Sequence, residues 1–185
     1  MGCVSAIERI GSKQVYANAW LRLREDEIEY ADGTRGIYTV VEKPDFALVI
    51  PYADRGFWLV EQYRYPVSSR EWEFPQGGWT AGATGTPVEL AAAELAEETG
   101  FRASRLEQLG RLYASYGFSS QAYDVYLATD LVAGVPDRED SEADMVAAWF
   151  AEDEVRAMIG GGELRDAHSV AALTLFDLVR RPSGA

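Results

Sequence analysis

Pro87-Val-Glu-Leu-Ala-Ala-Ala-Glu-Leu-Ala-Glu-Glu-Thr-Gly-Phe101 is the stretch on which the reading of this chain turns. Thr86 before it is a good N-cap, Pro87 takes the first helical position, and Glu89 completes a Thr-x-x-Glu capping box. Gly100 supplies the left-handed stop. Val88, Ala91, Ala92 and Leu95 fall at helical spacing and predict the buried stripe. The acids are the anomaly. Glu94 and Glu98 are four apart and share a face, and Glu97 lies one turn from Glu94. Like charges at that spacing cost a free helix roughly 0.2–0.5 kcal/mol per pair. They also crowd the C-terminal half, where the helix dipole disfavours anions. Divalent cations held by carboxylate oxygens reverse that cost, and Mg²⁺ is the usual choice where phosphates add ligands. The competing reading is a solvated acidic face.

Around this helix lies a chain of 185 residues, the length of about one domain, with 48% apolar and 25% charged residues. Thirty acids against 17 bases give a net charge of −13. Such a surface repels phosphate backbones and anionic membranes, which argues against nucleic-acid or membrane partners. A small anionic substrate remains compatible if cations screen it. One cysteine, Cys3, cannot form an internal disulfide, and the first residues show no secretory pattern, so a cytoplasmic location is the expectation. His168 is the only histidine, which excludes a multi-histidine zinc site. It reads as a helix-surface residue. The loop Gly77–Thr84 has phosphate-loop glycines, but Ala83 stands where the essential lysine belongs.

The first half alternates like antiparallel strands, at Val15–Arg24, Glu27–Tyr30 and Gly36–Glu42, with an Asp32-Gly33 hairpin turn. Pro44 marks a joint, dividing the chain into residues 1–43 and 44–185. Phe46–Pro51 and Phe57–Tyr65 read as a second strand pair, and Glu71–Pro75 as a strand feeding the glycine-rich loop. Later strands are expected at Leu106–Tyr113, Ala122–Ala128 and Met145–Phe150, and closing helices at Glu152–Ile159 and from near Asp166. Irregular alternation of strands and helices suggests an α/β (α+β) protein with a mixed sheet.

Glu94-Leu-Ala-Glu-Glu-Thr-Gly-Phe101 resembles the second half of the Nudix box. The first half departs: Ala93 stands for the box arginine, Gly85 for the early glutamate and Trp79 for the opening glycine, whose place Gly77 or Gly78 takes. Glu61-Gln-Tyr-Arg-Tyr-Pro66, Trp72-Glu-Phe-Pro-Gln-Gly-Gly78 and Ala114-Ser-Tyr-Gly-Phe-Ser119 are similar to the ADP-ribose pyrophosphatase branch of that family. The resemblance implies an α/β/α sandwich and a small N-terminal antiparallel β-subdomain that often builds a homodimer. It also implies hydrolysis, dependent on Mg²⁺ or Mn²⁺, of a nucleoside diphosphate linked to another group, with ADP-ribose the first candidate. Carried over, Glu94 and Glu98 are metal ligands, Glu97 shares a metal or catalytic water, and a carbonyl of the Gln76–Gly77 loop completes the shell. Glu142 and Asp144 are the candidates for a further catalytic acid. Arg64 and Glu73 are candidates for phosphate or ribose contacts, and Trp72 for a base. Without the arginine, a weak or inactive nucleotide-binding module is the alternative; a nucleoside triphosphate pyrophosphohydrolase is another.

Overall fold

The computed structural model describes residues 6–79, 84–138 and 144–180. It divides into two compact units, one formed by the chain through Asp45 with Tyr113–Ala122, the other by Phe46–Leu112 and the chain from Tyr123 onward.

In the first unit, β1 (Ile7–Ala17), β2 (Arg22–Tyr30) and β3 (Arg35–Glu42) form an antiparallel sheet in that order. The strand expected over Val15–Arg24 is broken in two. Asn18 Oδ1 accepts the N–H groups of Trp20 and Leu21, each at 2.9 Å, so the chain turns where hydrophobic alternation alone runs straight through. The Asp32-Gly33 turn lies where the sequence put it, with Gly33 at φ +82°. Tyr113–Ala122 joins this unit through one backbone bond, Val41 N–H donating to the Phe118 carbonyl at 2.8 Å, and one to a side chain, Ala122 N–H donating to Asp45 Oδ1 at 2.9 Å.

The second unit holds β4 (Phe46–Ala53), β5 (Gly56–Arg64), β6 (Ser69–Glu73), β7 (Gln76–Gly77), α1 (Pro87–Thr99), β8 (Phe101–Tyr113), β9 (Ala122–Ala133), β10 (Val146–Ala151), α2 (Glu152–Gly161) and α3 (Ala167–Arg180). Its sheet runs β10-β5-β4-β9-β8, with β6 on β5 and β7 on β4. β4 and β9 are parallel, while β5 pairs antiparallel with β4, β6 and β10, so the sheet is mixed. Strand alternation assigns the helices to faces. Ala47 and Val49 of β4 form one buried cluster with Leu90, Ala91 and Leu95 of α1. The alternate residues Phe46 and Tyr52 meet α3, their rings 5.3 Å from His168 and 5.1 Å from Phe176. The expected α/β/α sandwich is present. His168 departs from its reading as a surface residue: its ring lies edge-on to Phe46 and, at 4.9 Å, to Tyr123.

The bounds of α1 match its punctuation. The Thr86–Glu89 capping box is formed, and Gly100 ends the helix at φ +79°. Its buried face is another matter. Val88 is 41% exposed and Ala92 is exposed, whereas Leu90, Ala91, Glu94, Leu95, Glu98 and Thr99 are buried. The helix is rolled so that two of its acids turn inward with the apolar residues.

Candidate active site

Glu94 is 8% exposed and Glu98 1%. Burying carboxylates is costly unless charge or hydrogen bonds compensate, and β7 is what meets them. Backbone pairing fixes β7 on β4, Leu48 opposite Gln76 and Ala47 opposite Gly77, with Val49 N–H donating to the Pro75 carbonyl at 2.9 Å. From there Gln76 N–H donates to Glu98 Oε2 at 3.2 Å. Gly77 lies so close to Glu94 that a Cβ would fall 2.4 Å from Oε2 and 2.7 Å from Cδ. Glu97 is half-buried, and its backbone carbonyl accepts from Asp137 N–H at 3.2 Å. Among the described residues, no three His, Cys, Asp or Glu side chains converge into a ready-made metal cage. The structure brings Glu94 and Glu98 against the Gln76–Gly77 backbone and leaves Glu97 on a neighbouring aspect of the helix. Two buried carboxylates are hard oxygen donors, which fit Mg²⁺ or Mn²⁺ with water or phosphate in the remaining positions.

Glu73 and Arg64 are joined to each other. Arg64 Nε donates to Glu73 Oε2 at 3.2 Å and Nη2 to Oε1, while Gln62 Nε2 donates to Glu73 Oε1 at 2.8 Å. Burial pushes the Glu73 carboxyl above its ordinary range, against the pull of Arg64. Trp72, on the other face of β6, is half-buried with its ring edge-on to Phe150 at 4.9 Å. Asp144 is exposed and held by Arg70, whose Nη1 reaches Oδ2 at 2.6 Å and whose Nε reaches Glu61 at 2.7 Å. Glu142 lies outside the described residues.

Asp166 is a residue that the motif reading passed over. Its Oδ2 accepts from Ser169 N–H at 2.8 Å, capping α3, and from Gln76 Nε2 at 3.0 Å. Burial works to raise its carboxyl, but the His168 contact and the Ser169 bonds outweigh burial and hold it well below the usual carboxylate range. The spacing Asp166-x-x-Ser169 was its visible signal.

Two departures from the box motif share one cause. Trp79 packs against the α1 core cluster, and a Cβ on Gly85 would lie 2.6 Å from Trp79 Cζ2. The indole fills the space that a side chain at position 85 needs. Large at 79 and none at 85 are a single packing solution.

Comparison with known proteins settles the family. A NUDIX domain model matches residues 42–173, and a model of the nucleoside diphosphate sugar hydrolase N-terminal domain matches residues 7–41. The chain belongs to the NUDIX family. Among its Nudix relatives, an ADP-ribose pyrophosphatase of Mycobacterium tuberculosis is 34% identical over 90% of this chain and 81% of that protein. An ADP-ribose pyrophosphatase of Bacillus subtilis is 27% identical over 91% of each. The crystal structure of an ADP compounds hydrolase superposes with a TM-score of 0.82, over 97% of this chain and 96% of that one; at 20% identity it shows the Nudix fold alone.

Proposed function

We propose that this Nudix protein hydrolyses the diphosphate of a nucleoside diphosphate linked to a sugar, with ADP-ribose first among substrates and AMP and ribose 5-phosphate as products. The burial of Glu94 and Glu98 against Gln76–Gly77 supports this most. The two ADP-ribose pyrophosphatase relatives support the substrate class. Divalent ions, Mg²⁺ or Mn²⁺, supply charge neutralisation of the diphosphate and activation of water.

The chain's own residues divide the remaining work. Glu94, Glu98 and the Gln76 carbonyl hold the metal, and Glu97 shares a metal or water. Asp144 or Glu142 supplies the further acid. Arg64 offers its guanidinium to phosphate or ribose once Glu73 releases or shares it, and Trp72 offers a base-stacking surface. Residues 1–43 serve as a dimerisation element and 44–185 as the hydrolase domain. The N-terminal sheet supports a homodimer: among its described apolar residues only Ile28 is buried, while Val15, Tyr16, Trp20 and Ile37 are exposed. Among the described residues no helix is long and apolar enough to cross a membrane. A small, soluble nucleotide in the cytoplasm is the substrate this reading calls for.

A product-resolved panel of ADP-ribose, other sugar nucleotides, dinucleotides and triphosphates, with Mg²⁺ or Mn²⁺, tests the reading. AMP and ribose 5-phosphate from ADP-ribose are expected. Pyrophosphate from triphosphates alone would assign a different Nudix activity. Nucleotide binding indifferent to metal, without turnover, would make the protein a binding module.

A further inference from the structure

The last turn of a helix leaves carbonyls that the helix cannot satisfy. In α1, Thr99 Oγ1 donates to the Leu95 carbonyl and Gly100 N–H to that of Ala96 at 2.9 Å. The next two carbonyls belong to Glu97 and Glu98, both box acids. Asp137 N–H takes the first at 3.2 Å. Arg138 takes the second twice, through Nε at 3.0 Å and Nη2 at 2.9 Å, while its Nη1 donates to the Met145 carbonyl. The same guanidinium therefore ties the helix end to the residue that leads into β10. The seat around it is tight: a Cβ on Gly100 would lie 2.8 Å from Pro136 Cδ and 3.0 Å from the Gly134 carbonyl. The last turn of α1 carries no basic residue of its own, and Ala93 brings no cation to the helix either.

We propose that Arg138 is a positioning residue: it clamps the Glu98 carbonyl to Met145 and thereby holds the Glu98 carboxylate where a metal needs it. This deepens the hydrolase reading and relies on that reading only for its kinetic arm. A planar fork reaching two carbonyls at once fixes position as well as charge, which a lysine ammonium cannot reproduce. Glu98 is fastened at its side chain by Gln76 and at its backbone by Arg138, so freeing one end lets the carboxylate drift.

The test uses the full chain with Arg138→Ala and Arg138→Lys, Mn²⁺ alone as calorimetric probe, circular dichroism for folding, and ADP-ribose kinetics. Both variants are expected to bind Mn²⁺ about 10–100-fold more weakly. Turnover should fall by a similar factor while KM moves less than about threefold. If Arg138→Ala does not fold, Arg138→Lys decides. A folded variant whose Mn²⁺ affinity and turnover stay within roughly twofold of the parent would overturn the proposal, leaving Arg138 a structural tie. A parent that binds Mn²⁺ but cleaves no diphosphate would sink the hydrolase reading instead, with Arg138 still judged by Mn²⁺ affinity. A parent without Mn²⁺ binding overturns both.

Discussion

Gly77 and Glu94 touch so closely that one added methyl group would sit 2.4 Å from the carboxylate oxygen. The contact lies between a strand held on β4 by backbone pairing and the carboxylate end of a flexible side chain on the buried face of α1, so it is the carboxylate that yields. Gly77→Ala should therefore displace Glu94. The cost in stability should stay below about 1 kcal/mol, because the clash falls on a side-chain end that can move. Turnover should fall about tenfold or more through loss of metal affinity. Urea unfolding and steady-state kinetics check the two parts, and native kinetics in Gly77→Ala would take Glu94 out of the site.

The Trp79–Gly85 contact predicts coupling. Gly85→Glu alone should destabilise the fold by about 1–3 kcal/mol, because the indole already fills that space. Combined with Trp79→Gly, it should cost less than the sum of the two changes by at least about 1 kcal/mol. Additive unfolding free energies in that cycle would show that the two departures are independent.

A pH effect follows from Glu71. Hydrogen bonds from Arg165 first and Ser69 second hold its carboxyl below its ordinary value of 4.5. A depressed carboxyl contributes stability above its unfolded value and loses that contribution as pH falls through the folded one. Because Arg165 is largely exposed, solvent screens the pair and keeps the contribution small. Glu71→Gln should lower the melting temperature at pH 7 by no more than about 2–4 °C. The gap should close as pH drops through and below 4.5. A gap that persists unchanged in acid would mean that Glu71 acts by packing.

For oligomeric state, light scattering at micromolar concentration should give twice the 20.4 kDa chain mass. The exposed residues of the first sheet, together with a hollow lined by Tyr38, Val40, Tyr113, Tyr116 and Phe118, form the surface that a second copy would cover. A monomer mass would contradict the dimer.

Local chemistry made α1 legible to the residue, since Thr86, Pro87, Glu89 and Gly100 each act on their own backbone. The mixed sheet was legible for a similar reason, its strands being bounded by turn residues. The orientation of α1 was not, because small alanines on both sides of the helix left the hydrophobic stripe ambiguous. What fixed it was the pairing of β7 with β4, a long-range contact that brings Gln76 and Gly77 to the acids. Asn18 shows the converse, a single side chain cutting a strand whose alternation continues through it. Arg138 stood in plain view as the one base in Asp137–Asp144, yet its partners are main-chain carbonyls, which no side-chain pattern displays.

Glu98 carries the greatest weight in assigning α1 as the catalytic helix, and Glu98→Gln tests that assignment most directly. Turnover of ADP-ribose with Mg²⁺ or Mn²⁺ should be measured for parent and variant beside their melting temperatures. Losing the carboxylate removes charge that stabilises the transition state, so turnover should fall on the order of 100-fold or more. Removing a negative charge from a crowded, buried helix face should leave the fold unharmed or steadier. Near-native turnover in Glu98→Gln would contradict the assignment, and an unfolded variant would make Glu98 a structural residue.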